Sequence, residues 1–246
     1  MNSFLELTAS DNHKFSAYLA QPKEKPRAGL VILQEIFGVN NHIREVTDLF
    51  AKKGYLAIAP SLFDRKERNV ELSYDEQGVL KGRKLKDLCN EQALKDIEAS
   101  ISLVSSAGKV GVVGYCWGGS LAWRIADQSN ELSGCVSYYG GDIPKLKHCN
   151  PKCNFLSHFG ELDQSIPIED VKSFKQFKPE VETFTYPAHH GFNCNRRKQY
   201  NEVSARVALD RTIKFFENNI DSMNVILLGA TGAFSVAGIL SLINNK

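Results

Sequence analysis

Residues 109–119 read Lys-Val-Gly-Val-Val-Gly-Tyr-Cys-Trp-Gly-Gly, and no other stretch limits the fold of this chain as tightly. Lys109–Tyr115 is a short apolar run of valine and glycine, the composition of a strand buried on both faces. A helical pattern begins directly after it. Glycine two residues before and two after Cys116 is what a sharp strand-to-helix turn demands. The central residue of such a turn is strained, and side chains at the flanking positions would clash. The turn lifts Cys116 above the sheet to the N-terminus of the next helix, where the macrodipole and backbone N–H groups favour a thiolate and a developing oxyanion. A buried structural cysteine beside a glycine-rich helix start fits the same residues.

The remaining sequence repeats this alternation. Phe4–Thr8 and Lys14–Leu19 read as an antiparallel pair joined by a turn at Ser10–His13. Ala28–Leu33, Tyr55–Ala59, Ser133–Tyr139, Asn154–Phe159 and Val181–Tyr186 are further strand candidates. Helical spacing appears in Asn41–Lys53, Asp87–Ser105 and Tyr200–Asn218. Apolar runs separated by crossover helices predict an α/β fold with a mostly parallel central sheet. The charged segment Leu62–Lys86 has only a weak pattern and reads as an excursion from the sheet, the kind of segment that borders binding sites.

The 246 residues, 43% of them hydrophobic, supply the core of one large domain. A formal net charge of +2 with only short basic runs, such as Lys81–Lys84, gives no footprint for nucleic acid. The N-terminal residues alternate polar and apolar without forming a signal sequence. Cys89, Cys116, Cys135, Cys149, Cys153 and Cys194 follow no disulfide framework, so reduced thiols and a cytoplasmic location are expected.

Two further motifs share the placement of Cys116. Gly160-Glu161-Leu162-Asp163 follows the strand candidate ending at Phe159, and His189-His190-Gly191-Phe192 follows the one ending at Tyr186. In folds with this elbow the triad runs nucleophile, acid, base along the chain. Asp163 therefore reads as the acid that fixes a histidine tautomer, and a histidine of the pair as the base. Spacing does not separate His189 from His190. Glu35, just past the Ala28–Leu33 run, stands where the loop supplies the second oxyanion donor; it is either functional or a cap for the next helix. Phe37, Trp117, Tyr138 and Phe192 are candidates for an apolar pocket wall or for core.

These motifs resemble the dienelactone hydrolases (carboxymethylenebutenolidases), a family of the α/β-hydrolase superfamily. The resemblance rests on Gln34-Glu35-Ile36-Phe37-Gly38-Val39-Asn40, Gly114-Tyr115-Cys116-Trp117-Gly118-Gly119, Gly160-Glu161-Leu162-Asp163 and His190-Gly191-Phe192-Asn193, and it spans residues 3–219. It implies an α/β-hydrolase fold with Cys116 as nucleophile, His190 as base and Asp163 as its orienting acid. It also implies Glu35 as a carboxylate that contacts the resting thiol, and the N–H groups of Ile36 and Trp117 as the oxyanion hole. The implied reaction opens an unsaturated lactone or small ester through a thioester, with no metal or cofactor. Best-known members bind the substrate carboxylate with two arginines. One lies four residues after the catalytic histidine, where this chain has Cys194; Arg196 and Arg197 lie nearby in a different register, and Arg83 is the nearest candidate for the other. That departure keeps a broad esterase or thioesterase acting on neutral substrates as the alternative, beside a redox-sensing or binding role.

Two features stand apart. His148-Cys149-Asn150-Pro151-Lys152-Cys153 has metal-like spacing but no second ligand pair, so it reads as a loop, and no metal site is expected. The hydrolase domain is expected over 1–220 and an apolar tail over 221–246. Val225–Ile243 is nineteen residues without a charge, near the length of a bilayer span. Its three glycines and two serines favour packing on the domain over membrane contact, and 223–232 also resembles the opening of a dinucleotide-binding fold too short to complete. Oligomeric state is not legible in the sequence.

Overall fold

Ala28–Leu33 and Val110–Tyr115 are buried at every position, so both faces of these strands must be covered. In the computed structural model, which describes residues 2–221, eight strands form one sheet. They are β1 (Ser3–Thr8), β2 (Lys14–Ala20), β3 (Ala28–Leu33), β4 (Tyr55–Pro60), β5 (Val110–Tyr115), β6 (Leu132–Tyr138), β7 (Asn154–Gly160) and β8 (Glu182–Tyr186). Their order is β1-β2-β4-β3-β5-β6-β7-β8. β2 runs antiparallel to both of its neighbours, and all pairings from β4 to β8 are parallel. This is the mostly parallel α/β sheet expected from the alternation of runs, with the antiparallel β1–β2 pair at its edge.

Among the described residues six α-helices flank the sheet: α1 (Asn41–Lys52), α2 (Glu76–Cys89), α3 (Ala93–Val104), α4 (Trp117–Gln128), α5 (Ile168–Phe177) and α6 (Glu202–Asn219), the last of them following β8. Side chains at the N-caps start three of them. Asn40 accepts from the Ile43 N–H, Asp75 from Gly78 and Asn201 from Ser204, each satisfying an N–H that the first helical turn leaves unpaired. α1 and α6 meet on one face of the sheet through Phe50 and Phe216, ring centroids 6.1 Å apart. On the other, Trp123 of α4 packs edge-on against Phe174 of α5 at 5.4 Å. The core is therefore two apolar layers with the sheet between them.

Two departures from the sequence reading bear on the site. The helix expected over 87–105 is broken at 90–92, because Trp117 Nε1 donates to the Asn90 side chain at 2.9 Å and Arg124 to its carbonyl at 3.1 Å. The charged stretch before it holds α2, whose Val79, Arg83 and Lys86 line the cavity described below. No helix among the described residues is long and apolar enough to cross a membrane. The three readings of the tail fall on residues outside those described, apart from its first residue, Asp221.

Candidate active site

β5 ends at Tyr115 and hands Cys116 to the N-terminus of α4 with φ +54° and ψ −114°. A side chain held there costs about 1–3 kcal/mol, so the surroundings must enforce it. The Cys116 N–H donates to the Tyr138 carbonyl at 2.9 Å, and the Gly118 N–H to the Gln34 carbonyl at 3.0 Å. A Cβ on Gly114 would lie 1.9 Å from the Gly118 carbonyl oxygen, and one on Gly118 2.4 Å from that of Leu33. The elbow closes only with glycine at both positions.

Asp163 sits in the turn after β7. Its Oδ1 accepts the N–H groups of Ser165 at 2.7 Å and Ile166 at 3.2 Å, and its Oδ2 lies 2.7 Å from His190 Nδ1. Hydrogen bonds to a charged group contribute about 1.5–3 kcal/mol each, so the carboxylate is fixed before anything binds. His190 arrives on the loop after β8, with the Cys116 thiol in hydrogen-bonding reach and the Tyr139 ring 5.0 Å away. Burial disfavours charge on the imidazole, but the charges of Cys116 and Asp163 outweigh it and push its pKa up to about 10. His189, in contrast, is exposed, and its Nδ1 lies 2.9 Å from the Leu162 carbonyl oxygen. Geometry thus separates the two histidines that spacing left equivalent.

Glu35 is buried beside this group, and it pairs with Arg197 rather than with the thiol. Its Oε1 lies 3.2 Å from Arg197 Nη1. The guanidinium also stacks over Phe37 and Tyr74, 5.6 and 5.9 Å from their ring centres. Burial works against the Arg197 charge, yet Glu35 and the other groups around it hold the guanidinium more firmly protonated than usual. Gly191 makes room: its φ is +78°, and a Cβ there would stand 2.5 Å from Arg197 Nη1.

Cys116, His190, Arg197, Arg83 and Lys86 share a cavity of 360 Å³ that Ile36, Phe37 and Trp117 also line. Among the described residues no protein acceptor takes the backbone N–H of Ile36 or of Trp117. The structure therefore brings together Cys116, Asp163, His190, Glu35, Ile36, Trp117, Phe37 and Arg83. Of the two alternatives left open for Tyr138 and Phe192, pocket wall or core, the structure places them in the core, away from the cavity lining. Both are wholly buried: Tyr138 bonds to Thr212 at 2.7 Å, and Phe192 packs on Tyr139 and Tyr186. Bulky rings next to the elbow support it from below. His148 turns away onto Phe177, and Cys153 faces Cys135 at 3.7 Å.

Sequence reasoning missed Lys86 and set Arg197 aside. The spacing of Val79, Arg83 and Lys86 places them on one helical face, a signal present in the sequence. For Arg197 linear register misled, because 191–200 fold as successive tight turns: Cys194 N–H to Gly191, Arg197 to Cys194 and Tyr200 to Arg197. Neighbouring arginines diverge, with Arg196 on Glu45 and Arg197 on Glu35.

A sequence profile described as "Dienelactone hydrolase family" matches residues 15–220. A protein of Synechocystis sp. named "Putative carboxymethylenebutenolidase" is 33% identical, over 86% of this chain and 94% of that one. A protein of the same name from Saccharolobus solfataricus is 30% identical over 84% and 95%. Among solved structures, one titled as a "Putative Dienelactone Hydrolase" from Klebsiella pneumoniae superposes with a TM-score of 0.76 at 28% identity, covering 88% of this chain and 99% of that one. A match this long, with relatives this similar along nearly their whole length, makes the chain a member of the dienelactone hydrolase family and an ester hydrolase.

Proposed function

We propose that this hydrolase opens lactones or small esters through a thioester on Cys116. The observation that carries the reading is the contact of His190 with Asp163 at 2.7 Å on one side and with the Cys116 thiol on the other. In the proposed cycle the thiol proton rests on His190, which pairs with the Cys116 thiolate while Asp163 orients the ring. The sulfur attacks the carbonyl carbon, and the N–H groups of Ile36 and Trp117 receive the developing oxyanion. Collapse breaks the carbon–oxygen bond, and His190 returns its proton to the leaving oxygen. Water then hydrolyses the thioester by the same route. Every proton transfer uses groups of the chain itself.

The cations Arg83, Lys86 and Arg197 in the cavity favour a substrate that carries a carboxylate. Such a carboxylate, arriving at Arg197, competes with Glu35 for the guanidinium and releases Glu35 toward the thiol. The six cysteines are all unpaired, which suits a reducing, cytoplasmic compartment.

The test compares dienelactone with a neutral aryl ester. Cys116→Ala is expected to lose at least about 10⁴-fold in kcat. Arg83→Gln is expected to lose about tenfold in kcat/KM on the lactone, the size of a single screened ion pair, and to leave the neutral ester unaffected. Turnover that survives in Cys116→Ala would sink the cysteine mechanism. Cysteine-dependent turnover of the neutral ester alone would keep the mechanism and discard the anionic substrate.

A further inference from the structure

Glu35, His42 and Cys194 come from the loop after β3, from α1 and from the loop after β8, and they converge behind the active site. Each is buried, and a carboxylate oxygen, an imidazole nitrogen and the thiol sulfur all lie within 4.8 Å of one another. Two of these residues are electrostatically incomplete. Glu35 Oε2 and His42 Nε2 make no hydrogen bond among the described residues, and neither does the hydroxyl of Tyr139, which lies within the electrostatic reach of Glu35 and Cys194. A buried polar atom left unpaired costs about 1–3 kcal/mol. Unpaired buried atoms on two of the three clustered residues mark a place where something binds.

The surroundings fix the donors and leave an approach. Arg197 occupies Glu35 Oε1, so Oε2 is the oxygen available. The Tyr115 ring lies edge-on to His42 at 6.5 Å. His42 also lines a second cavity, 320 Å³ in volume and open to the surface beside Asn40 and Tyr74, which Cys116 does not line.

We propose that Glu35 Oε2, His42 Nε2 and Cys194 Sγ form a site for a divalent first-row transition cation, with Zn²⁺ the best fit. One oxygen, one nitrogen and one sulfur are a borderline-soft donor set that suits Zn²⁺, whereas Ca²⁺ and Mg²⁺ take oxygen ligands. Binding replaces the thiol proton, which leaves to solvent, with a sulfur–metal bond, and no redox change accompanies it. The charges of carboxylate, thiolate and cation cancel, so the neighbouring Arg197 is not repelled. Water completes the fourth position. On the hydrolase reading above, a cation holding Glu35 by Oε2 withholds that carboxylate from the catalytic thiol, so the site is inhibitory.

The binding test does not depend on that reading. Full-length protein carrying Cys116→Ala, stripped of metal, is titrated with Co²⁺ in a buffer without thiols or chelators. One equivalent is expected to bind with a thiolate-to-cobalt charge-transfer band in the near ultraviolet, and Zn²⁺ is expected to displace it. Adding Cys194→Ser should abolish the band, and adding His42→Gln should weaken binding by at least about 10-fold, the smallest loss seen when even an outer-shell partner is removed, with circular dichroism reporting that each variant is folded. His42→Gln leaves the thiol in place, so it tests the site should Cys194→Ser not fold. Absence of Co²⁺ binding, a band that persists in folded Cys194→Ser, or an affinity unchanged in folded His42→Gln would each overturn the proposal, the first in favour of a buried water and the others in favour of ligands elsewhere.

Discussion

Two histidines stand near the carboxyl ends of neighbouring strands, and their surroundings drive them in opposite directions. His190 faces Asp163 and Cys116, and its pKa is pushed up to about 10. His158, on β7, is wholly buried between the Tyr186 hydroxyl at 2.8 Å and Thr212 Oγ1 at 3.0 Å. Burial, assisted by the charge of Arg211, pushes its pKa down to about 3. The two regions are joined, since the Tyr139 N–H donates to the His158 carbonyl at 2.7 Å while its ring packs on His190. Burial alone does not set the charge of a histidine. Burial with anionic partners stabilises the imidazolium, whereas burial among hydroxyls within reach of a guanidinium's charge leaves a neutral ring that serves packing.

The largest effect that would break this contrast is at Asp163. Asp163→Asn keeps the shape of the contact but removes its charge, and kcat should fall by about 10³–10⁴-fold; steady-state kinetics with less than a tenfold loss would show that His190 acts without its carboxylate. His158→Gln is expected to leave kcat within a few-fold. It should destabilise the fold by about 1–3 kcal/mol, because Tyr186 and Thr212 lose a buried partner. Chemical denaturation and turnover measured on one preparation check both halves, and a large loss of turnover in the folded variant would erase the distinction between the two rings.

The pH dependence carries the same opposition. His190, raised in the folded state, contributes stability that is complete below the unfolded value near 6.5 and is lost as pH rises through about 10. His158 is a base with a depressed folded pKa. The unfolded chain takes up its proton below about 6.5 and the native state only near 3, so its contribution is complete above 6.5 and is lost as pH falls toward 3. Each slope approaches about 1.4 kcal/mol per pH unit. Denaturation curves should lose the alkaline slope in His190→Gln and the acid slope in His158→Gln; identical slopes in both variants would contradict the assignment. A smaller effect concerns Cys116→Ala, which removes the strongest of the groups that raise His190. The His190 titration followed by NMR should move down from about 10, and an unchanged value would assign the whole shift to Asp163.

Much of this site is legible in the residues alone. Cys116, Asp163 and His190 each follow a strand run directly, and the sharpness of the Cys116 turn is written in glycines two residues to either side. Helix α2 is not legible in that way, because its exposed face is charged and its buried residues are few (Gly78, Gly82, Leu85 and Cys89), leaving little periodic apolar signal. The break at 90–92 is hidden because its cause, Trp117, lies 27 residues away.

The strands, the elbow and the placement of Cys116, Asp163 and His190 in that order, each just past a strand, were legible in the chain, since each depends on neighbouring residues. Spacing left open which histidine meets Asp163 and which arginine enters the cavity, and the tertiary packing of the loops places His190 and Arg197 there. It likewise sent Tyr138 and Phe192 under the site and gathered Glu35, His42 and Cys194 behind it. These outcomes depend on tight turns that reverse side-chain direction from one residue to the next, and on contacts between segments as far apart as Glu35 and Arg197. Such contacts form when the sheet brings its loops together at the carboxyl ends of the strands, and no local spacing encodes them.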